Sequence, residues 1–400
     1  MDQKYYQTKA AKYLYRICDV KPNRRTGSQG NRDATAYCAD ILQKFGYIVD
    51  TKPFHALDYQ FKSVSLSRGN KKFKVYHSPY SLGCHVKTGL VNVSTVTDLE
   101  KIDCNNKILL MKGEICSEQL MPKNFVFYNP DEHKKIISLL EEKKPAAIIT
   151  ATSKNPDLVG ALYPFSLFVD GDFNIPSVYC TEHTGEEISA YSGELFELDL
   201  QAERVPSTAW NVIGLPDKSY KEKIIVCAHI DAYEDSPGAS DNASGVVVLL
   251  LLAEMLLQYK KSIGVELIAF NGEDHYSAGG QMDYLKRYGE EIKNIRFVVN
   301  IDDVGFREGK TDFSFYEVDN NLQQKISTVL NNYSGLQKGE PWFSGDHMIF
   351  VQQSRPAIAF TSEKMPELMA TITHTKKDKP EIIDTLKLVE IAEALSVIVP

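Results

Sequence analysis

The sequence has little of what marks several whole classes of protein. Its 400 residues include only two tryptophans, and its seven cysteines are scattered with no Cys-x-x-Cys pair. Neither a disulfide framework nor a structural zinc knuckle is therefore expected. No internal repeat and no low-complexity tract is found, which excludes a repeat array. Basic residues do not dominate: 45 Lys and Arg stand against 53 Asp and Glu, a net charge of −8. That balance argues against nucleic acid or an anionic membrane as the main partner. The longest apolar run, Val246–Ala253, falls far short of the about 20 residues that cross a bilayer as a helix. The opening MDQKYYQTKAAKYLYRICDV has no basic segment followed by an apolar one. No signal peptide is read there, and the expected compartment is the cytoplasm, with reduced thiols.

What is present is ordinary for a globular enzyme, with 43% hydrophobic and 24% charged residues. The length allows two or three domains and a large core. Residues 3–19 and about 31–45 have the pattern of amphipathic helices, the second capped by Ser28 or Asn31 and ended by Gly46, before the strand YIVDTKPF. Between about Tyr59 and Val205 short strand-like pieces (SVSLS, KFKVYH, LVNVS, KILLMKG, AAIITA, SVYCT, LFELDLQAE) alternate with turns, and one helix is clear at 131–144. This stretch, 59–205, reads as a β-rich domain inserted into a discontinuous domain of residues 1–58 and 206–400. After Trp210 strands and helices alternate: KIIVCAH, a helix at about 243–259, GVELIAFNGED, AGGQMDYLKRY, IRFVVNID, NLQQKISTVLNNY, RPAIAFTS and a terminal helix. The expected fold is α/β, with a mixed, largely parallel central sheet and helices on both faces. In such sheets ligands bind beyond the carboxyl ends of the strands.

The strand ends are where ionisable residues gather. His229 and Asp231 close one strand, Glu273 and Asp274 the next, and Asp302 a third, while Asp241 precedes the apolar helix and His374 follows the last strand. Taken singly, each has a bland explanation: Asp241 as a helix N-cap, Glu273-Asp274 as a solvated turn, a lone His as a core or surface residue. Five coincidences at successive strand ends are another matter. Two imidazoles and several carboxylates suit zinc, and also manganese or cobalt. A carboxylate using both oxygens can bridge two ions about 3.5–4 Å apart.

In order, the segments HID, SPGASDNASG, FNGED, NIDDVG, SGDH and THTKKDKPEIID resemble the co-catalytic di-zinc aminopeptidase family, whose relatives include glutamate carboxypeptidase, the glutaminyl cyclases and the transferrin receptor. The resemblance covers Asn211 to Pro400 and, more weakly, the opening RRTGSQGN. It implies a zinc-exopeptidase-like fold and two zinc ions per chain. It makes His229 and Asp302 ligands of one zinc, Asp274 and His374 ligands of the other, and Asp241 the bridge. Asp231 becomes a supporting carboxylate beside the ligands, and Glu273 the general base. Asp303 is set aside because adjacent strand residues face opposite ways. The insert is similar in pattern to a protease-associated module.

One departure is that many relatives carry Glu-Glu where this chain has Glu273-Asp274, so the second carboxylate reaches one methylene less far. Trp342 and Phe343 are read as apolar wall for substrate, and His347 as a donor to the oxyanion or the substrate carbonyl. His275 is assigned to a helix start. The expected activity is that of an aminopeptidase acting on peptides with a free N-terminus. The alternatives are a carboxypeptidase, another amide hydrolase or cyclase of the same fold, or a silent binding protein. A carboxypeptidase should place Arg or Lys near the site, and these motifs are short of basic residues.

Overall fold

The computed structural model describes residues 2–155, 162–215, 220–258 and 262–399. It falls into two compact units, Met1–Ala56 with Ser207–Pro400, and Leu57–Pro206. The chain opens with α1 (Gln3–Cys18), capped by the Asp2 carboxylate, which accepts from the Tyr5 N–H at 3.1 Å. Then comes α2 (Gln29–Lys44), capped by Ser28, whose hydroxyl accepts from the Asn31 N–H at 3.1 Å. Of the two caps offered by the sequence, Ser28 is the one used. Gly46, at φ +85°, turns the chain out of α2 and into β1 (Ile48–Asp50).

The second unit runs from β2 (Phe54–Arg68) through β3 (Lys71–Phe73), β4 (Tyr76–His77), β5 (Cys84–Val93), α3 (Val96–Lys101) and β6 (Ile108–Met111). It continues with α4 (Asp131–Lys143), β7 (Ala147–Thr152), β8 (Ser177–Thr181), α5 (Glu182–Ser189) and β9 (Leu195–Ala209). Its sheet has the order β3-β2-β9-β5-β6-β7-β8-β4, and β5 to β8 are parallel to their neighbours in that run. Alternate residues of β6 and β7 enter different cores: Leu109 and Ile148 pack on one face, Leu110 and Ile149 on the other. Both faces are covered, as a parallel sheet requires. The helices α3 and α5 are additions to the single helix expected here. They span only 6 and 8 residues, too short for a periodic apolar signal. Their mark is local: Thr95 and Asp98 form a reciprocal capping box, and Thr181 caps α5.

The first unit resumes with β10 (Val212–Leu215), β11 (Lys223–His229), α6 (Ser244–Met255), β12 (Gly264–Phe270), α7 (Gly279–Tyr288) and β13 (Ile295–Ile301). It ends with β14 (Thr311–Tyr316), α8 (Asn320–Leu330), β15 (Leu336–Lys338), α9 (Met348–Val351), β16 (Ala357–Ser362), α10 (Met365–Thr371) and α11 (Thr385–Ile398). Its eight strands are ordered β1-β10-β12-β11-β13-β16-β14-β15. The centre, β12-β11-β13-β16, is parallel, and β10 and β14 join it antiparallel. The strand after β11 lies on one side of it and the next on the other, so β11 marks the point where the winding reverses. Loops leaving the carboxyl ends there diverge and open a crevice.

Helix α6 is buried at every residue from Ser244 to Ala253, between the sheet and helices α1 and α11. Such an all-round apolar helix belongs in a core. Ala239–Gln258 would pass by length and composition as a membrane span, but 83% of its window is buried inside the fold. The expected helix reached 259, and that residue lies outside the described ones. Close packing at the start of α6 depends on Gly245, where a Cβ would meet the Ile301 carbonyl at 2.5 Å and Asn242 Oδ1 at 2.4 Å.

Candidate metal centre

The parallel register sets the site. His229, the last residue of β11, pairs with Phe270 of β12, and the next residues of β12's exit, Asn271 to Asp274, form the turn before α7. On the other side, the Asp302 N–H donates to the Phe360 carbonyl at 2.9 Å, carrying the β13–β16 ladder one step past Ile301. Backbone pairing thus brings His229, Asp274 and Asp302 to one edge of the sheet.

Asp241 arrives from the loop ahead of α6. It does not cap that helix; its neighbour Asn242 instead ties the helix start to β13, its Oδ1 accepting from the Gly245 N–H at 3.0 Å while its Nδ2 donates to the Ile301 carbonyl at 2.8 Å. This frees the Asp241 carboxylate, and its two oxygens separate. Oδ1 lies 3.0 Å from His229 Nε2, and Oδ2 lies 3.1 Å from His374 Nε2. Asp302 Oδ1 approaches His229 Nε2 to 3.4 Å, and Asp274 Oδ1 approaches His374 Nε2 to 2.7 Å. Five side chains predicted as metal ligands therefore come together. Asp302, not Asp303, is the carboxylate that reaches His229.

The donor atoms fit cations better than they fit one another. Both ring nitrogens of His229, Asp274 Oδ2 and Asp302 Oδ1 are buried without a hydrogen-bond partner. They are near neighbours by distance, yet not aligned as donor and acceptor, so they converge on shared points in space. Ligand atoms of His229, Asp241 and Asp274 all lie within 4.8 Å of one another. Buried carboxylates in such number are costly without positive charge among them. The strain appears in their proton affinities. Burial, then Asp241 across the site, pushes Asp274 above the usual carboxylate range, and burial likewise pushes Asp302 up. Asp241 is drawn below that range, because the two histidines outweigh its burial. Burial works against charge on His229 and His374, but the facing carboxylates raise both well above an ordinary imidazole.

A layer behind these groups holds them. Asp231 is fully buried; its Oδ2 accepts from Thr26 Oγ1 at 2.9 Å and from the Asp274 N–H at 3.1 Å, and its Oδ1 accepts from the Glu273 N–H at 3.3 Å. Its Oδ1 also stands 3.6 Å from His229 Nδ1. Despite burial, His229, the Gly272 N–H and the Thr26 hydroxyl keep Asp231 below the usual range. Glu273 is positioned by this bond while its carboxylate stays apart from the ligand pairs. Burial, reinforced by Asp274, Asp302 and Asp346 against His229, pushes it well above the usual range.

Several participants were not singled out in the sequence. Asn271 accepts from Asn31 Nδ2 at 2.7 Å and donates to Asn31, Thr35 and the Trp210 carbonyl, each at 3.1 Å, tying α2 to the turn. Tyr233 lies flat on the His374 ring, centroids 4.4 Å apart. Asp346 accepts from Gln281 Nε2 at 2.7 Å, and burial among carboxylates pushes it up to about 7. The weak resemblance of RRTGSQGN pointed at Thr26 without a role; its partner is 205 residues away.

The residues expected to line a substrate pocket fare differently. His347 is fully buried, its Nε2 3.2 Å from the Trp342 carbonyl and its Nδ1 3.3 Å from Asn300 Nδ2. The carbonyl can only accept, so Nε2 carries the proton and Nδ1 accepts from Asn300. Neither nitrogen is left for a substrate, contrary to the donor role expected from sequence. Burial pushes this imidazole down to about 4. Trp342 is half-buried against His347, and Phe343 is 73% exposed. His275 is not at a helix start: it lies in the turn before α7, Nδ1 2.9 Å from Ser277 Oγ.

The stretch from 211 to 399 matches the family described as peptidase family M28. The chain is 22% identical over 291 residues to the probable lipoprotein aminopeptidase LpqL of Mycobacterium tuberculosis, covering 70% of this chain but only 54% of that protein. It is 26% identical over 333 residues to a probable leucine aminopeptidase of Arthroderma benhamiae, covering 77% of this chain and 89% of the relative. Its fold is similar to that of a zinc aminopeptidase from Bacillus subtilis, with a TM-score of 0.74, 20% identity, and coverage of 98% and 94%.

Proposed function

We propose that the chain is a zinc-dependent aminopeptidase that removes the N-terminal residue of peptides and works with two ions per chain. The observation that carries this reading is the divided Asp241 carboxylate, with one oxygen 3.0 Å from His229 and the other 3.1 Å from His374. His229, Asp302 and Asp241 Oδ1 would hold one ion, and His374, Asp274 and Asp241 Oδ2 the other. Manganese or cobalt suits the same donors. Zinc held there supplies the Lewis acidity that polarises a peptide carbonyl and brings the pKa of water from 15.7 toward about 7.

The protein's own groups do the rest. Glu273 takes a proton from the attacking water and returns it to the departing amine. Asp231 fixes the turn carrying Glu273 and Asp274 and steadies the His229 ring. Trp342 and Phe343 offer apolar surface for a side chain. The names of the relatives favour a free amino end over a free carboxyl end, and the two arginines of the opening motif are committed elsewhere. Arg24 is spent on the Ile230, Pro237 and Gly238 carbonyls, and Arg25 stands 2.8 Å from Glu234.

The test is a panel of aminoacyl chromogenic substrates, free and N-blocked, with chelator and zinc add-back. Turnover of the free series alone, abolished by chelator and restored by zinc, is expected. Equal cleavage of blocked substrates, or indifference to chelator, refutes the proposal.

A further inference from the structure

Asp378 has no part in the chemistry above, yet it is fully buried and commits its whole carboxylate to one stretch of backbone. Its Oδ1 accepts from the Ser240 N–H at 2.7 Å and its Oδ2 from the Asp241 N–H at 3.1 Å. Its main-chain carbonyl takes the Ala239 N–H at 3.2 Å. Three successive N–H groups leading to Asp241 thus end on one residue. Asp378 also follows His374 by four positions, and the chain between them is folded by bonds from Thr375 N–H to the Ile372 carbonyl and from Asp378 N–H to the Thr375 carbonyl, both 3.1 Å. On the upstream side, Arg24 grips the same loop through the Pro237 and Gly238 carbonyls at 2.7 and 2.6 Å.

The geometry of Asp241 makes this grip consequential. Its two carboxylate oxygens serve two histidines at nearly equal distance, so a tilt of its backbone would draw one oxygen away as it advanced the other. Bonds from N–H to a carboxylate are the stronger, directional kind. We infer that Asp378 is a positioning residue of the metal centre, one that locks the Asp241 backbone to the loop carrying His374 so that both move as one body. This rests on the two-ion reading given above. His229 and Asp302 are held by the sheet and owe nothing to Asp378, so the lock acts chiefly on the position formed by His374 and Asp274.

Zinc binding by the metal-free chain, measured by competition with a chromogenic chelator, tests the inference in wild type and Asp378→Asn. Wild type should take two ions. The variant should hold one ion as wild type does and lose about 10–100-fold in affinity for the other, the usual cost of removing a group that orients ligands. Unchanged affinity at both positions, with only a lower melting temperature, assigns Asp378 a purely structural part and overturns the inference. If the variant does not fold, hydrogen exchange on the unsubstituted metal-free chain decides: the Ser240 and Asp241 amides should exchange slowly before any metal is added. Free exchange at both overturns the lock. Failure of wild type to take up zinc overturns the proposed function instead, and the exchange result still stands apart from it.

Discussion

Replacing Asp231 by Asn should weaken the fold, the metal centre and turnover together. The carboxylate accepts from Thr26 Oγ1 and the Asp274 N–H on one oxygen and from the Glu273 N–H on the other, with His229 Nδ1 nearby at 3.6 Å. An amide keeps one acceptor and puts an NH₂ group in place of the other. If its oxygen stays on Thr26 and Asp274, the NH₂ meets the Glu273 N–H; turned over, it meets Thr26 and Asp274. Either way at least one bond to a charged acceptor is lost, worth about 1.5–3 kcal/mol. In a unit of this size each kcal/mol lowers the melting temperature by about 2–4 °C, so a fall of roughly 3–12 °C is expected for the metal-free chain. Zinc affinity should drop about 10–100-fold as His229 loses its support. Turnover should fall even at saturating zinc, because the same turn carries Glu273. Calorimetry, chelator competition and initial rates on one preparation give all three values. An Asn variant with an unchanged melting temperature and zinc affinity would refute the reasoning.

Glu273→Gln should separate these effects: zinc content stays full while kcat falls roughly 10²–10⁴-fold, and near wild-type turnover would remove Glu273 from the mechanism. Zinc at about 100 times its Kd should add about 2.7 kcal/mol of stability, so chelation should lower the melting temperature by roughly 5–11 °C; no shift would mean no specific site. His347 gives a pH dependence unconnected with metal. Its folded pKa, about 4, lies below the 6.5 of an ordinary imidazole, so between these values only the unfolded chain takes the proton. Its contribution is intact above about pH 6.5 and is lost as pH falls toward 4, about 3 kcal/mol in all. Urea midpoints between pH 7 and 4 should decline less steeply in His347→Gln, and an identical slope contradicts the assignment.

The gathering of these side chains was legible because several of them sit where two local signals meet. His229 ends the β-branched run Ile224–Ala228, Asp302 ends another apolar strand, and Asp241 stands at the mouth of a helix too apolar to be anywhere but inside. Strand ends in a parallel sheet lie at one edge, so reading the strands was enough to predict the gathering. Asp378 and Asn271 were invisible for the opposite reason. Their roles lie in bonds to segments 137 and 240 residues away, and nothing in their neighbours' sequence encodes such distances. His347 shows the reverse failure: a His in a motif-like loop looked available, but its Trp342 and Asn300 partners are settled only by packing. In the second unit, α3 and α5 escaped because a helix of two turns is written in its caps rather than in its period.

The bond between Thr26 and Asp231 joins positions 205 residues apart. At a ribosomal pace of 5–20 residues per second, the hydroxyl is made about 10–40 s before the carboxylate it needs. Helices α1 and α2 must spend that interval with their apolar faces, Leu14, Ile17 and Leu42 among them, lacking the sheet that will cover them. During synthesis helices α1 and α2 thus wait uncovered for that interval, and shielding by a chaperone would matter most there.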